Sequence, residues 1–222
     1  MFNTDELLSA LDELGEAAVA AGERLDVAVY GGAALMLASN FRFSTEDVDI
    51  AEIGIPQPEW LDNAVLRIAR SRNWSEDWLN DAVTFHLSSL ATKRDHEIFG
   101  SFPRASIGDV GLTVSIPTAD YMLALKLKAM RVNDPAKGAT EIKDIRALLQ
   151  VTGISTVDRA IHCLAKFFPK SAAASEKQRF LLRNLFPELA GGNESQKSNR
   201  NAPRYPLRSG SRRAPGRDDF GR

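Results

Sequence analysis

Cysteine is nearly absent from this chain. Its 222 residues hold one, Cys163, which excludes an internal disulfide and any zinc site built on paired cysteines. Histidine is scarce too, and His86, His96 and His162 are scattered without metal-binding spacing. No apolar run approaches the roughly 18 residues of a membrane span. The opening segment is acidic and amphipathic, unlike a secretory leader, and a reducing, cytoplasmic setting is the expectation. Net charge is close to absent, at −1. That small total hides an asymmetry: residues 191–222 hold eight Lys/Arg against three Asp/Glu, a net of +5, leaving −6 on residues 1–190. The tail is also poor in apolar side chains, so it is expected to stay disordered. A basic tail can hold RNA loosely, while an acidic body does not favour RNA.

What is present reads as a mixed α/β front half and a helical back half. Asn3 and Glu6 form a capping-box pattern ahead of a helix over 3–21, stopped by Gly22. Pro56 and Pro58 open a helix to about Arg72, and residues 75–81 form a short helical or turn segment. Residues 83–116 read as strand-rich, best at 96–102 and 111–116. Thr118 caps a helix to about Arg131, and further helices are expected at 140–151, 156–168 and 175–186. The expected fold is α/β (α+β), with a mixed-sheet core over 1–117, a helical portion over 118–190 and the basic tail over 191–222.

The densest information lies in 27–50. A short apolar run meets Gly31-Gly32, a small-residue helical segment follows, and then come Arg42, Thr45 and Asp47-Val48-Asp49-Ile50. Strand parity puts Asp47 and Asp49 on one face and Val48 and Ile50 on the other. Two neighbouring carboxylates repel unless a cation sits between them. A glycine pair at a helix N-terminus lets backbone N–H groups approach a phosphate. A phosphate cradle beside a metal site points to chemistry on a nucleotide.

Gly31-Gly32, the helix after it, Arg42, Thr45 and Asp47-x-Asp49 together resemble the signature of the DNA polymerase β-like nucleotidyltransferases. The arrangement is most similar to the AbiEii-type toxin nucleotidyltransferases and their relatives. The later segments Leu125-Lys126-Leu127-Lys128-Ala129 and Lys143-Asp144-Ile145 follow in the same order, and Trp78-Leu79-Asn80-Asp81 looks like a recurring element of the relatives. The resemblance covers about residues 25–150. It implies a mixed-sheet nucleotidyltransferase core and Mg2+-dependent transfer of a nucleoside monophosphate from an NTP to an acceptor hydroxyl. Asp47 and Asp49 would hold the metal, Gly31 and Gly32 the phosphates, and Arg42 and Thr45 would support phosphate or loop geometry. The toxin resemblance implies an RNA acceptor such as a tRNA end and a separate antitoxin partner.

Helical geometry separates the two lysines. Over 121–131 the apolar residues fill one broad arc, with Lys126 inside it between Met122 and Met130 and Lys128 on the polar side. A lysine inside an apolar face must find an anion or reach water. Lys126, also the lysine the family pattern selects, is the candidate for the triphosphate. Asp144 falls on the apolar side of its helix and could orient Lys126 or the metal shell. A purely structural Lys126–Asp144 ion pair explains both placements equally well.

One departure from the family stands out. Many of its enzymes carry a third carboxylate on a later strand, where residues 111–116 here offer Thr113 and Ser115. Glu52 has the wrong parity, and nothing places Asp95 or Glu97. A non-catalytic nucleotide-binding or interaction module on the same fold is therefore the competing reading. The three histidines, Trp60, Trp74, Trp78 and Cys163 read as packing or surface residues.

Overall fold

The computed structural model describes residues 1–39, 42–52, 58–105 and 108–189. Pro56 and the basic tail over 191–222 lie outside them. The short strand β1 (Phe2–Asn3) leads into helix α1 (Thr4–Ala20). The capping box is formed: the Glu6 amide donates to the Asn3 side chain at 3.0 Å and the Asn3 amide to the Glu6 carboxylate at 2.8 Å. The helix closes at Ala21, and Gly22 takes φ +70° just beyond it.

Next come β2 (Leu25–Tyr30), α2 (Gly31–Ala38), β3 (Ser44–Thr45), β4 (Val48–Glu52), α3 (Glu59–Arg72), β5 (Leu79–Asn80), β6 (His96–Phe102) and β7 (Leu112–Pro117). The last five helices are α4 (Ala119–Ala129), α5 (Gly138–Thr152), α6 (Val157–Phe167), α7 (Pro169–Ala173) and α8 (Glu176–Leu185). The fold is thus α+β. Five strands form one mixed sheet in the order β5-β4-β2-β7-β6, and β1 pairs separately with β3. The central strand β2 runs antiparallel to β4 and parallel to β7. Centrality explains its apolar run: five of its six residues are buried.

The two faces of the sheet have different work. Leu25 and Val27 align with Leu112 and Val114, and Val29 with Ile50. That face packs on α1, where Gly15 lies so close to the Phe102 backbone that no Cβ fits. The other face carries Ala28, Tyr30, Asp49 and Ala51, and α4 crosses it, bringing the Tyr121 ring edge-on to Tyr30 with centroids 6.4 Å apart. One hydrophobic cluster runs through both halves of the chain, from Phe2 to Leu189.

Three local expectations change. Residues 83–95 hold two 3-10 turns, over Ala82–His86 and Lys93–Asp95, instead of strand. The Ser88 amide donates to the Tyr121 hydroxyl at 2.9 Å and the Ser88 hydroxyl to the Phe167 carbonyl at 2.5 Å, so this segment spends its polar groups on helices. Residues 75–81 contain β5, added to the β4 edge. Thr118 occupies the cap position of α4 without a side-chain hydrogen bond, and that helix ends at Ala129 because Met130 turns left-handed at φ 42°.

Three aromatic rings pack at the β1 end of this region. Trp74 stacks on Phe2 at 4.3 Å and lies 5.1 Å from Trp78. Trp78 is fully buried and donates its indole N–H to the Val65 carbonyl at 3.1 Å.

Candidate active site

Gly31 begins α2 at φ +63°, which glycine alone tolerates cheaply. A Cβ there would stand 2.5 Å from Asp49 Oδ2, and one on Gly32 would stand 2.5 Å from the Arg42 guanidinium carbon and 2.8 Å from Thr45 Oγ1. The two glycines therefore let a helix N-terminus sit directly between a carboxylate and a guanidinium. The first amides of α2 have no intrahelical acceptor, and a helix N-terminus of this kind is favourable to negative charge.

Asp47 precedes β4 and Asp49 lies within it. Thr45 holds the approach: its hydroxyl is 3.1 Å from the Asp47 carbonyl and 3.4 Å from Asp47 Oδ1. Burial, and then the charge of Asp47, raise the Asp49 carboxyl above its ordinary value, opposed by Arg131, Lys137 and Lys126. The second cause is the like charge of a neighbouring carboxylate, which disfavours ionisation of both together.

Arg42 anchors its Nε on the Ser44 carbonyl at 3.0 Å and reaches Asp144 Oδ2 at 3.3 Å. The same oxygen accepts from Lys126 Nζ at 2.8 Å, and Glu141 Oε2 accepts from that ammonium at 2.7 Å. Glu141 and Asp144 side chains are 8% and 4% exposed. Two half-buried cations and two buried carboxylates thus form a charge-balanced quartet behind the glycine turn. The structural ion pair left open by the sequence is present, and Glu141 joins it. Glu141 sits one helical turn before Asp144, so the spacing carried the signal. Its Oε1 is buried and has no hydrogen-bond partner. Lys128 goes elsewhere, donating to the His86 carbonyl at 2.8 Å and lying over the Phe168 ring.

All eight site residues picked from sequence therefore fall in one contiguous region. The segment Trp78-Leu79-Asn80-Asp81 gains a place beside it: β5 pairs parallel with β4, with Asn80 opposite Asp49. The Trp78 carbonyl accepts from the Val48 amide at 2.6 Å. A cavity of about 400 Å³ opens there, with Glu46, Asp47, Asn73, Trp74, Asp77 and Asn80 in its wall.

The positions offered for a third acid do not supply one. Ser115 donates its hydroxyl to the Val27 carbonyl at 3.2 Å, and Thr113 accepts from Arg24 at 3.1 Å. Asp95 caps a turn with Thr92 and pairs with Lys166 at 3.3 Å, while Glu97 is exposed on β6 at the far edge of the sheet. Among the described residues no group of three or more His, Cys, Asp or Glu is arranged to hold a metal.

On the other side of Asp49, Tyr30 sits opposite it across β2 and β4. Its hydroxyl lies 2.8 Å from His96 Nε2, and His96 Nδ1 lies 3.0 Å from the Thr92 carbonyl. A carbonyl only accepts, so Nδ1 carries the proton and Nε2 accepts from Tyr30. Burial, and then Tyr121, push the Tyr30 hydroxyl up, so it stays protonated. His96 is a satisfied structural partner. A second hollow of about 490 Å³ lies against α6, with Asp120, His162 and Cys163 in its wall. There the Cys163 thiol donates to the Asp120 carbonyl at 3.3 Å, and burial pushes it up to about 12, which leaves it unreactive.

No protein-family model matches the chain, and no curated protein matches it. Among solved structures, an antigenic nucleotidyltransferase-like protein from Paracoccidioides brasiliensis is similar over 79% of this chain and 94% of its own, with 17% identity and a TM-score of 0.42. A likeness of that size fixes neither fold nor activity. No helix among the described residues is long and apolar enough to cross a membrane.

Proposed function

We propose that this chain is a Mg2+-dependent nucleotidyltransferase that moves a nucleoside monophosphate from an NTP to an acceptor hydroxyl. One observation carries the reading: Asp49, two residues beyond Asp47, stands against the N-terminus of α2, with its Oδ2 2.5 Å from where a Gly31 Cβ would be. Mg2+ favours this donor set, because it is commonly held by one or two carboxylates completed by substrate phosphates, without a protein cage.

The metal would neutralise charge on the transferring and leaving phosphates. The chain's own residues do the rest. Asp47 and Asp49 hold the metal, with Thr45 fixing the Asp47 backbone. Gly31 and Gly32 present backbone N–H groups to the phosphates. Arg42, pinned between Ser44 and Asp144, closes the other wall of the turn. Lys126 and Asp144, with Glu141, keep that wall rigid. The cavity beside Asp47 gives an acceptor an approach on the β5 side. The resemblance to AbiEii-type toxins is what supports an RNA acceptor and an antitoxin partner.

The experiment is label transfer. Full-length protein is incubated with Mg2+ and each α-labelled NTP, with RNA, cell protein and a small-molecule extract as separate acceptors. Label on one fraction, absent with Asp47→Ala/Asp49→Ala, establishes the reaction and names the acceptor class. The absence of a third carboxylate at the tested positions favours a second reading, a module that binds Mg2+–NTP without turnover. Measurable binding with no label on any fraction would select it.

A further inference from the structure

The quartet behind the glycine turn is unevenly satisfied. Arg42 and Lys126 both end on one oxygen, Asp144 Oδ2, at 3.3 and 2.8 Å. Glu141 Oε1, in the same cluster, is buried and has no hydrogen-bond partner. Two cations thus crowd a single acceptor while a nearby carboxylate oxygen goes unused. Lys126 is anchored twice, because Glu141 Oε2 also accepts from it at 2.7 Å. Arg42 has the longer bond to Asp144 and the more exposed side chain, 25% against 16% for Lys126. Its Nη2 makes no hydrogen bond among the described residues.

Arg42 also stands in an electrostatically awkward place. The Cα–Cβ direction in a helix tilts toward the N-terminus, so whatever fills the Cβ place of Gly32 stands at the mouth of α2. The Arg42 guanidinium fills it, with its central carbon 2.5 Å and Nη1 2.7 Å from that place. A cation there faces the positive end of the helix dipole and amides that can only donate. Guanidinium and amides are all donors, so neither can satisfy the other. An anion between them would accept from both. The Nε bond to the Ser44 carbonyl, 3.0 Å long, holds the guanidinium at this mouth independently of Asp144.

We infer that Arg42 is the cation that contacts the polyphosphate of the nucleotide, through its unbonded Nη2, and that Asp144 restrains it by competing with the ligand for its charge. Lys126 belongs to the scaffold behind it and keeps Asp144 neutralised while Arg42 serves the ligand. The assignment rests on the nucleotide reading above. Arginine suits the role because its planar fork can leave one donor on a carbonyl while others meet phosphate oxygens. The Ser44 anchor lowers the ordering cost of the contact. The polyphosphate is then held at the α2 mouth by backbone amides and a guanidinium already in contact with the Gly32 backbone.

The test is equilibrium binding of inorganic tripolyphosphate to the full chain in Mg2+, with thermal melts alongside. Arg42→Gln, Asp144→Asn and the double variant are compared with wild type, with Lys126→Gln and with Lys170→Ala, an exposed cation on α7. Arg42→Gln should weaken binding about tenfold, as for a charge-assisted hydrogen bond to phosphate, and flatten its salt dependence. Asp144→Asn should melt lower and yet bind about threefold tighter, because the competing carboxylate is gone. That gain should vanish in the double variant. Lys170→Ala should bind like wild type. Arg42→Lys keeps the charge and should recover part of the Arg42→Gln loss, so the proposal stays decidable even where Asp144→Asn does not fold. The proposal is overturned if Arg42→Gln binds within about twofold of wild type, or if wild type does not bind. It is also overturned if Asp144→Asn weakens binding as Arg42→Gln does, the result for an arginine that only props the turn. A larger loss in Lys126→Gln than in Arg42→Gln, at equal melting temperature, overturns it too. Failure of the transfer reading looks different: tripolyphosphate responds as stated and no acceptor takes label.

Discussion

Two carboxylate pairs a short distance apart are handled in opposite ways. Glu141 and Asp144 are buried, and each is bonded to a cation at hydrogen-bond distance. Asp47 and Asp49 are half-buried, and the Asp49 carboxyl is raised by burial and then by the charge of Asp47. The first pair completes the structure. The second keeps a like-charge repulsion that a cation would relieve. The better-satisfied pair is architecture, and the other is the pair assigned to the metal in the proposed function.

That contrast makes predictions of decreasing size. Asp47→Ala/Asp49→Ala should lower nucleotidyl transfer by at least on the order of a hundredfold, the scale for removing a group that stabilises developing charge. Its unfolding temperature should hold or rise, because repulsion is relieved. Calorimetry alongside the label assay checks both. Asp144→Ala should do the reverse, costing about 3 kcal/mol of stability in a denaturant titration, because it leaves half-buried cations under-compensated. Equal stability losses in the two variants would break the comparison.

Gly31→Ala tests the boundary between the regions. Left-handed φ with a Cβ costs about 1–2 kcal/mol, and the new methyl must displace Asp49. Mg2+–NTP affinity, read by titration, should therefore fall more than stability does. The pH response sharpens the comparison further. The folded-state value of Asp49 is raised above its unfolded one, so the folded chain binds the extra proton. Its contribution to stability is fully present below the unfolded carboxyl value. It is lost as pH rises through the folded one. Asp49→Asn should remove that decline, and added Mg2+ should stabilise wild type at neutral pH more than in acid, both measurable by thermal melts. Lys128→Ala is the smallest case. Loss of its bond to His86 and its place over Phe168 should cost about 0.5–1 kcal/mol without changing nucleotide affinity.

Much of this was legible in the chain because it is encoded locally. The Asn3–Glu6 cap, the parity of Asp47 and Asp49, and the difference between Lys126 and Lys128 are matters of spacing within one element. What was not legible arises between elements. Glu141 and Asp144 pair with a lysine on the preceding helix, and Asp144 also with Arg42 from the front half of the chain. Residues 83–95 carry apolar and β-branched side chains that suggest strand, yet the Ser88 polar groups are captured by Tyr121 and Phe167, which no local pattern reveals. Asn80 was visible as part of a motif, but its register against Asp49 is a property of the sheet.

The aromatic packing at the β1 end has an optical consequence. Trp74 borders the cavity that contains Asp47, and Trp78 holds the Val48 amide between the two aspartates. Trp60, the remaining tryptophan, sits apart with its indole N–H on Glu23 at 2.8 Å. Trp74 thus borders the carboxylate cavity with Trp78 edge-on behind it at 5.1 Å, and the Arg72 guanidinium, 5.3 Å from the Trp74 ring centre, makes that ring sensitive to local field. Intrinsic fluorescence of the unlabelled chain should therefore change when Mg2+ and nucleotide are added, and a Trp60→Phe variant would confine the signal to the pair beside the site.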